Sequence, residues 1–245
     1  MRVAIIAGGK GTRLGEFSKT IPKALIPIGG KPILEHQLHL AKRHGATDVA
    51  LLIGHLGDQI RDFCGDGSRF GLRITYFEEP QPLGTAGSLK LAEGFFSDDF
   101  LVFYGDVMME LNLGRLLAFH KCKGADATLV LHPNNHPMDS DLVEVDSNDR
   151  VVRILPKPHA DGLVYPNLVN AALYAFSPSV FSCLESGVSR DFGKHVFPRW
   201  VAEGMKLFGY STLEYMKDIG TLDRLDQVNQ DLSSGKIARS NHQLL

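Results

Sequence analysis

Short apolar runs alternate with amphipathic stretches through the first half of the chain, and that rhythm predicts strands joined by helices. Residues 3–7 are a run short enough for a buried strand. Residues 32 to about 44 read as a helix with Pro32 at its first position, Ile33, Leu34, Leu38 and Ala41 as its apolar stripe, and Gly45 as its stop. Strands are then expected at 49–53, 73–78, 100–104 and 127–132, with helices at 57–64, 85–96 and 113–121 between them. Repeated βαβ units imply an α/β fold with a doubly wound, mostly parallel, Rossmann-like sheet. After residue 132 the rhythm changes. Runs at 142–145 and 151–155 flank Ser147-Asn148-Asp149, a hairpin signal. A strand at 168–176, a short helix at 178–186 and a helix at 192–203 interrupted at Pro198 follow. Residues 207–216 look extended, and 221–233 close the chain as a helix capped by Thr221 with Asp223 in its first turn. The last ten residues, rich in Ser, Asn and Gln, are expected to fray. With no repeat or linker, this reads as a single domain over 1–245 whose second half carries an antiparallel addition.

Composition narrows the function. A hydrophobic content of 44% in 245 residues supports a substantial core, and a formal charge of −2 argues against nucleic acid as a partner. A local basic pocket for phosphates stays open. No apolar run approaches the roughly 18 residues that span a bilayer, and the N-terminus enters a strand without a signal-peptide pattern. Cys64, Cys122 and Cys183 are far apart and form no CxxC, so they read as reduced thiols of a cytoplasmic protein. The ten histidines offer no ligand spacing; His132 and His136 flank a proline-containing loop with no third ligand.

The first strand runs into Gly8, Gly9, Lys10, Gly11, Thr12 and Arg13. Three glycines in four positions let backbone N–H groups close on an anion. With Arg13 and Lys23 at either end of a segment that can fold over that anion, the stretch suggests a triphosphate site. It is not a P-loop, because no Gly-Lys is followed by Ser or Thr. Nor is it a dinucleotide fingerprint, since Leu14 stands at the third glycine and Pro22 and Pro27 preclude a long helix. The bland alternative is a glycine turn with solvated charges.

Asp106 follows the apolar FLVFY strand, at the edge where open α/β sheets bind ligands. A carboxylate there beside a triphosphate can hold Mg²⁺; a turn aspartate or helix cap is the alternative. Asp218, leaving the second extended run, reads equally well as a turn residue. In PLGTAG, small residues open a helix with a free N-terminus that suits a base edge, ribose or phosphate, unless they only make a tight strand-to-helix joint. Glu79 and Gln81, just before it, could read the base edge.

GGKGTRL followed by PKALIPIGGKPIL resembles the signature of sugar-1-phosphate nucleotidyltransferases, with Glu16 where that family often has proline. The resemblance covers nearly the whole chain and implies a doubly wound sheet, Mg²⁺, a nucleoside triphosphate and a sugar 1-phosphate as partners. It implies that 1–135 mainly bind nucleotide, 136–220 mainly bind sugar, and 221–245 form a closing helix and tail. It carries over nucleotide contacts to Ala7, Gly8, Gly9, Gly11, Thr12, Arg13, Gly84 and Thr85, and metal ligation to Asp106 and Asp218. Lys157, in LPKP, matches the lysine that binds the sugar phosphate, although Pro156 replaces the usual glutamate. Asn170, in NAALY, matches an asparagine at the sugar hydroxyls, with Ala172 where glycine is usual; Gly105 joins the sugar-phosphate contacts. Arg13, Lys23, Asp106, Lys157 and Asp218 are then the expected catalytic set.

PLGTAG is similar to the mannose-1-phosphate guanylyltransferase branch, which favours GTP. HPNxHPxDSDLVEVD resembles a branch acting on D-glycero-α-D-manno-heptose 1-phosphate, where the domain occurs alone or fused to a small phosphatase; the present chain is expected to lack the phosphatase. Uridylyltransferases for amino-sugar phosphates share most of the signature, and a non-catalytic nucleotide-sugar sensor is the rival of another class. Such sensors usually lose the arginine, a lysine or a metal aspartate, and all are present here. Assembly into a homo-oligomer stays open.

Overall fold

The computed structural model describes residues 1–9, 11, 17–134, 137–159 and 167–239. In chain order these form β1 (Arg2–Ile6), α1 (Phe17–Thr20), β2 (Pro27–Ile28), β3 (Lys31–Pro32), α2 (Ile33–Arg43), β4 (Asp48–Ile53) and α3 (Gly57–Cys64). Then come β5 (Arg73–Glu78), α4 (Gly84–Lys90), β6 (Phe100–Tyr104), β7 (Val107–Glu110), α5 (Leu113–Lys123) and β8 (Ala127–His132). The second half adds β9 (Leu142–Val145), β10 (Val151–Leu155), β11 (Val169–Phe176), α6 (Phe197–Ala202), β12 (Leu207–Ser211), β13 (Tyr215–Asp218), α7 (Leu222–Ser233) and α8 (Lys236–Arg239).

One mixed sheet of nine strands organises the molecule, in the order β10-β9-β11-β6-β1-β4-β5, with β8 on β11 and β12 on β8. The β6-β1-β4-β5 block is parallel throughout, as is β12 on β8, whereas β11 runs antiparallel to both β6 and β8. The expected doubly wound α/β sheet is therefore present, with the antiparallel addition in the second half. Strand alternation sorts the core into two layers. Val3, Ile5, Leu101 and Phe103 face α2, α3 and α5 through Leu34, Leu38, Ile60, Leu113 and Leu116. Ala4, Phe100 and Val102 face α4 and α6 through Ala86, Leu89, Phe197 and Trp200. A third cluster, including Ile28, Met108, Tyr215, Val228 and Ile237, ties α7 and α8 to the β7-β13 ribbon.

Four expectations need correction, and one strand went unforeseen. The helix expected over 85–96 ends at Lys90, and a 3₁₀ turn over Glu93–Phe95 follows. That tighter turn sets Phe95 against Phe77 and stacks Phe96 on Phe100 at 3.9 Å. Pro198 does not interrupt a helix; it sits in the first turn of α6, where a missing N–H leaves no bond unmade, after a π-helical turn over Phe192–Val196. The 207–216 run divides into β12 and β13, which join different sheets. Between them Glu214 turns inward and accepts hydrogen bonds from Asn112 N–H at 2.8 Å and the Thr212 hydroxyl at 3.0 Å. β7 was not anticipated, because it follows β6 after only Gly105-Asp106 and its pairing with β13 is remote in sequence. Residues 236–239, expected to fray, form α8 with Ile237 only 3% exposed.

Candidate active site

The parallel strands end together. Ile6 stands opposite Leu52 and Tyr104, and Ile53 opposite Glu78, so Ala7–Gly9, Gly54-His55, Glu79–Gln81 and Gly105-Asp106 leave the sheet at one edge. The ladder continues a step beyond the strands: Ala7 N–H donates to Leu52 O, Glu79 N–H to Ile53 O, and Gly105 N–H to Ile6 O, at 2.8, 3.0 and 2.9 Å. These bonds occupy Ala7, and Ala7 and Gly105 serve as close-packed joints. A Cβ on Gly105 would lie 3.0 Å from Ile6 O and 3.3 Å from the Ala7 methyl.

Beyond this edge lies a cavity of about 440 Å³ lined by Gly8, Gly9, Gly54, His55, Glu79 to Pro82, Gly84, Thr85, Ser88 and Asp191. It gathers Gly8, Gly9, Glu79, Gln81, Gly84 and Thr85 from the expected nucleotide set. Gly9 is open to it, with nothing within 4 Å of a notional Cβ, and Gly11 holds φ at +61°. Gly8 is bare for an internal reason: a Cβ there would come 2.6 Å from Glu79 Oε1. Glu79 is thus wedged against Gly8 and Gly54, and its Oε2 accepts from Leu83 N–H at 2.9 Å. Burial pushes its carboxyl above the usual range, offset only in part by that N–H.

The α4 N-terminus, expected to be free, is taken. Ala86 N–H donates to Arg190 O at 2.9 Å, and Thr85 N–H faces Asp191 Oδ1 at 3.4 Å. Gly84, with φ at +68°, leaves no space for a side chain, since a Cβ would lie 2.6 Å from Arg190 O. On Gly87 it would lie 2.5 Å from Val188 O. The small residues of PLGTAG therefore seat the 188–191 segment of the second half against the helix.

A larger cavity of about 1020 Å³ adjoins the same sheet edge and brings together Asp106, Lys157, Asn170 and Asp218. Asp106 stands in the turn just before β7 and Asp218 ends its partner β13: Asp218 pairs with Val107, and Ile219 N–H donates to Asp106 O at 2.9 Å. Each acid already holds a cation of the chain. Lys23 Nζ is bonded to Asp106 Oδ2, and Arg224 Nη1 donates to both Asp218 oxygens at 2.9 Å. Burial acts to raise the Asp218 pKa, but Arg224, the Gly220 N–H and Lys23 outweigh it and hold the carboxyl below its usual range. Asn170 turns its Oδ1 onto Ala172 N–H at 3.2 Å, and Ala172 stands at φ +57°, the left-handed region that suits the family's glycine.

Thr12 and Arg13 lie outside the described residues. Among the described residues no group of three or more His, Cys, Asp or Glu side chains could hold a metal. Mg²⁺ keeps several waters and takes phosphate oxygens, so two carboxylates on one cavity wall fit its needs. Sequence reasoning missed Asp141, Asp191 and Arg224. Asp141 Oδ1 accepts from Lys157 N–H at 3.2 Å while its carbonyl accepts from Asn170 N–H at 3.0 Å, so it joins the two sugar-side residues. Its signal lay in the DSD of the heptose-like loop. Arg224 carried none beyond its place in the first turn after D-I-G.

The family model described as nucleotidyl transferase matches residues 2–235, and the chain belongs to that family. It is 32% identical to a UTP–glucose-1-phosphate uridylyltransferase of Synechocystis over 90% of this chain and 60% of the relative. It is 34% identical to the mannose-1-phosphate guanylyltransferase of Mycobacterium tuberculosis, over 94% and 64%. The chain spans about three fifths of the length of the curated relatives it matches. Its fold is shared with HddC from Yersinia pseudotuberculosis, also solved with GMP-PN; for HddC the TM-score is 0.81 at 23% identity, over 94% of this chain and 99% of that one. Among the described residues, no helix is long and apolar enough to cross a membrane.

Proposed function

We propose that the chain transfers a nucleotidyl group from a nucleoside triphosphate to a sugar 1-phosphate, giving a nucleotide-sugar and pyrophosphate. The observation that carries this reading is one sheet edge serving two cavities, one floored by Gly8 and Gly9, the other walled by Asp106, Lys157, Asn170 and Asp218. An oxygen of the sugar phosphate attacks the α-phosphorus in line. The bond from that phosphorus to the bridging oxygen breaks, and pyrophosphate leaves with the electron pair. The nucleophile is ionised at neutral pH, so no general base is required, and catalysis is positioning plus charge stabilisation. Lys157 orients the sugar phosphate, Lys23 contacts phosphate oxygens, and Arg13 neutralises the departing pyrophosphate. Asp106 and Asp218 would hold Mg²⁺, which when bound supplies charge stabilisation at the α-phosphate.

GTP is the favoured donor, supported by the PLGTAG segment and by guanylyltransferase relatives at 34–35% identity. D-glycero-α-D-manno-heptose 1-phosphate is the favoured acceptor. The heptose-like stretch supplies His132, Pro133, Asn134, Ser140 and Asp141 to the wall of the larger cavity, where they can face the distal end of a sugar. We assign the reaction to the cytoplasm, in keeping with the three free thiols.

The test is pyrophosphate release from four nucleoside triphosphates, each paired with heptose, mannose, glucose and N-acetylhexosamine 1-phosphates in the presence of Mg²⁺. GTP with the heptose phosphate is expected to be fastest. Preference for mannose 1-phosphate, or for UTP with the amino sugar, would replace the acceptor or donor named here. Nucleotide binding without pyrophosphate from any pair would make the chain a sensor.

A further inference from the structure

Two ion pairs stand at the larger cavity, which Asp106, Asp218 and Arg224 line: Asp106 with Lys23 behind it, and Asp218 with Arg224. Their formal charges cancel. Arg224 is placed by the fold, since Thr221 caps α7 through Arg224 N–H at 3.4 Å and so fixes the first turn. From there one guanidinium nitrogen meets both oxygens of Asp218 at 2.9 Å, in a pair where Arg224 is 19% exposed and Asp218 33%. The position a divalent cation would take against Asp218 is thus held by a cation of the chain.

Resting on the reading of Asp218 as a metal ligand, we propose that Arg224 is a resident counter-ion that keeps divalent metal off Asp218 until substrate phosphate is present. A charge of +2 added to two neutral pairs gains little, whereas a phosphate arriving with the metal restores the balance and offers the planar guanidinium fork a multiply bonding anion in exchange for Asp218. Arg224 therefore couples metal binding to substrate binding. It acts through Asp218 and is a positioning residue.

The test is Mn²⁺ binding to the substrate-free chain, with free Mn²⁺ read by electron paramagnetic resonance. Arg224→Met leaves the cluster one positive charge short and should bind Mn²⁺ about tenfold tighter than wild type or more. Arg224→Lys, which keeps the charge and loses the fork, should fall between them, and adding Asp218→Asn to Arg224→Met should abolish the gain. A merely structural arginine would give no gain in affinity. Equal or weaker Mn²⁺ binding by both Arg224 variants, with thermal melting confirming that each is folded, overturns the proposal. The underlying reading is checked separately with GTP present. If Asp218→Asn leaves Mn²⁺–GTP binding unchanged, Asp218 is not a metal ligand and both ideas fall; if it weakens that binding while the Arg224 variants show no gain, only the counter-ion role falls.

Discussion

Ala172 holds φ at +57° inside β11, where the pairing with β8 shifts register between Asn170 and Tyr174. The left-handed conformation costs an L-residue about 1 kcal/mol or more, and glycine gives back part of that through its freer unfolded chain. Ala172→Gly should therefore raise the urea midpoint, with a gain of at most about 1 kcal/mol. A loss of similar size would mean that packing of the Ala172 methyl outweighs the backbone term. Arg13 belongs to the same scale. An arginine at the charge of a leaving pyrophosphate is worth roughly 10³-fold or more in rate, so Arg13→Ala should collapse pyrophosphate release while leaving the melting curve intact. Turnover within about threefold of wild type would remove Arg13 from the mechanism. Asp106 could be placed at the sheet edge from its position after an apolar strand, whereas Lys157 and Asp218 stood out only through the family resemblance; the larger cavity brings the three together. Asp191 carried no signal, because what defines it is a contact made across the chain, while Asp141 was hidden among the acids of the DSD stretch.

Helix α4 and its neighbours carry the next level. Gly84 combines a positive φ with a Cβ position 2.6 Å from Arg190 O, so Gly84→Ala must shift the 188–191 segment. A cost of about 1–3 kcal/mol in urea unfolding is expected, together with weaker nucleotide binding. An unchanged midpoint would show that the segment yields freely. In α7, Asp231 is 5% exposed and accepts from the Tyr215 hydroxyl at 2.9 Å and from Lys236 at 3.2 Å. Burial tends to raise its pKa, yet the bonds from Tyr215, Lys236 and Gln227 bring it below the ordinary carboxylate value. A depressed carboxylate stabilises the fold above its unfolded pKa and loses that contribution as pH falls through the folded value. The melting temperature of wild type should accordingly drop more steeply below the ordinary carboxylate range than that of Asp231→Asn. Parallel slopes would deny Asp231 this part. Elements with strong periodicity were readable to the residue, including α3, β5 and β6. Those that failed had their ends set by packing rather than periodicity: the stacking of Phe96 on Phe100, the turn at Glu214, the packing of Ile237.

At the scale of the molecule, the alternation of strand and helix and then its loss foretold a parallel block followed by antiparallel strands, and that is the sheet observed. The order of strands was not readable, because which apolar run lies beside which depends on crossovers that leave no local mark. The two cavities also draw on the chain differently from its linear order: Tyr104 and Asp106 from the first half wall the larger one, and Asp191 from the second half walls the smaller. The joint is the stretch from 188 to 193. Asp191 faces the first cavity, and two residues on Gly193 fits so closely under Asp141 that a Cβ there would stand 2.5 Å from its carboxylate. Hybrids spliced from two relatives near residue 135 would hand this strut to the wrong donor. Such hybrids should bind either substrate poorly until residues 188–193 are exchanged along with the first half, making that six-residue graft the piece that restores the fit between halves of different origin.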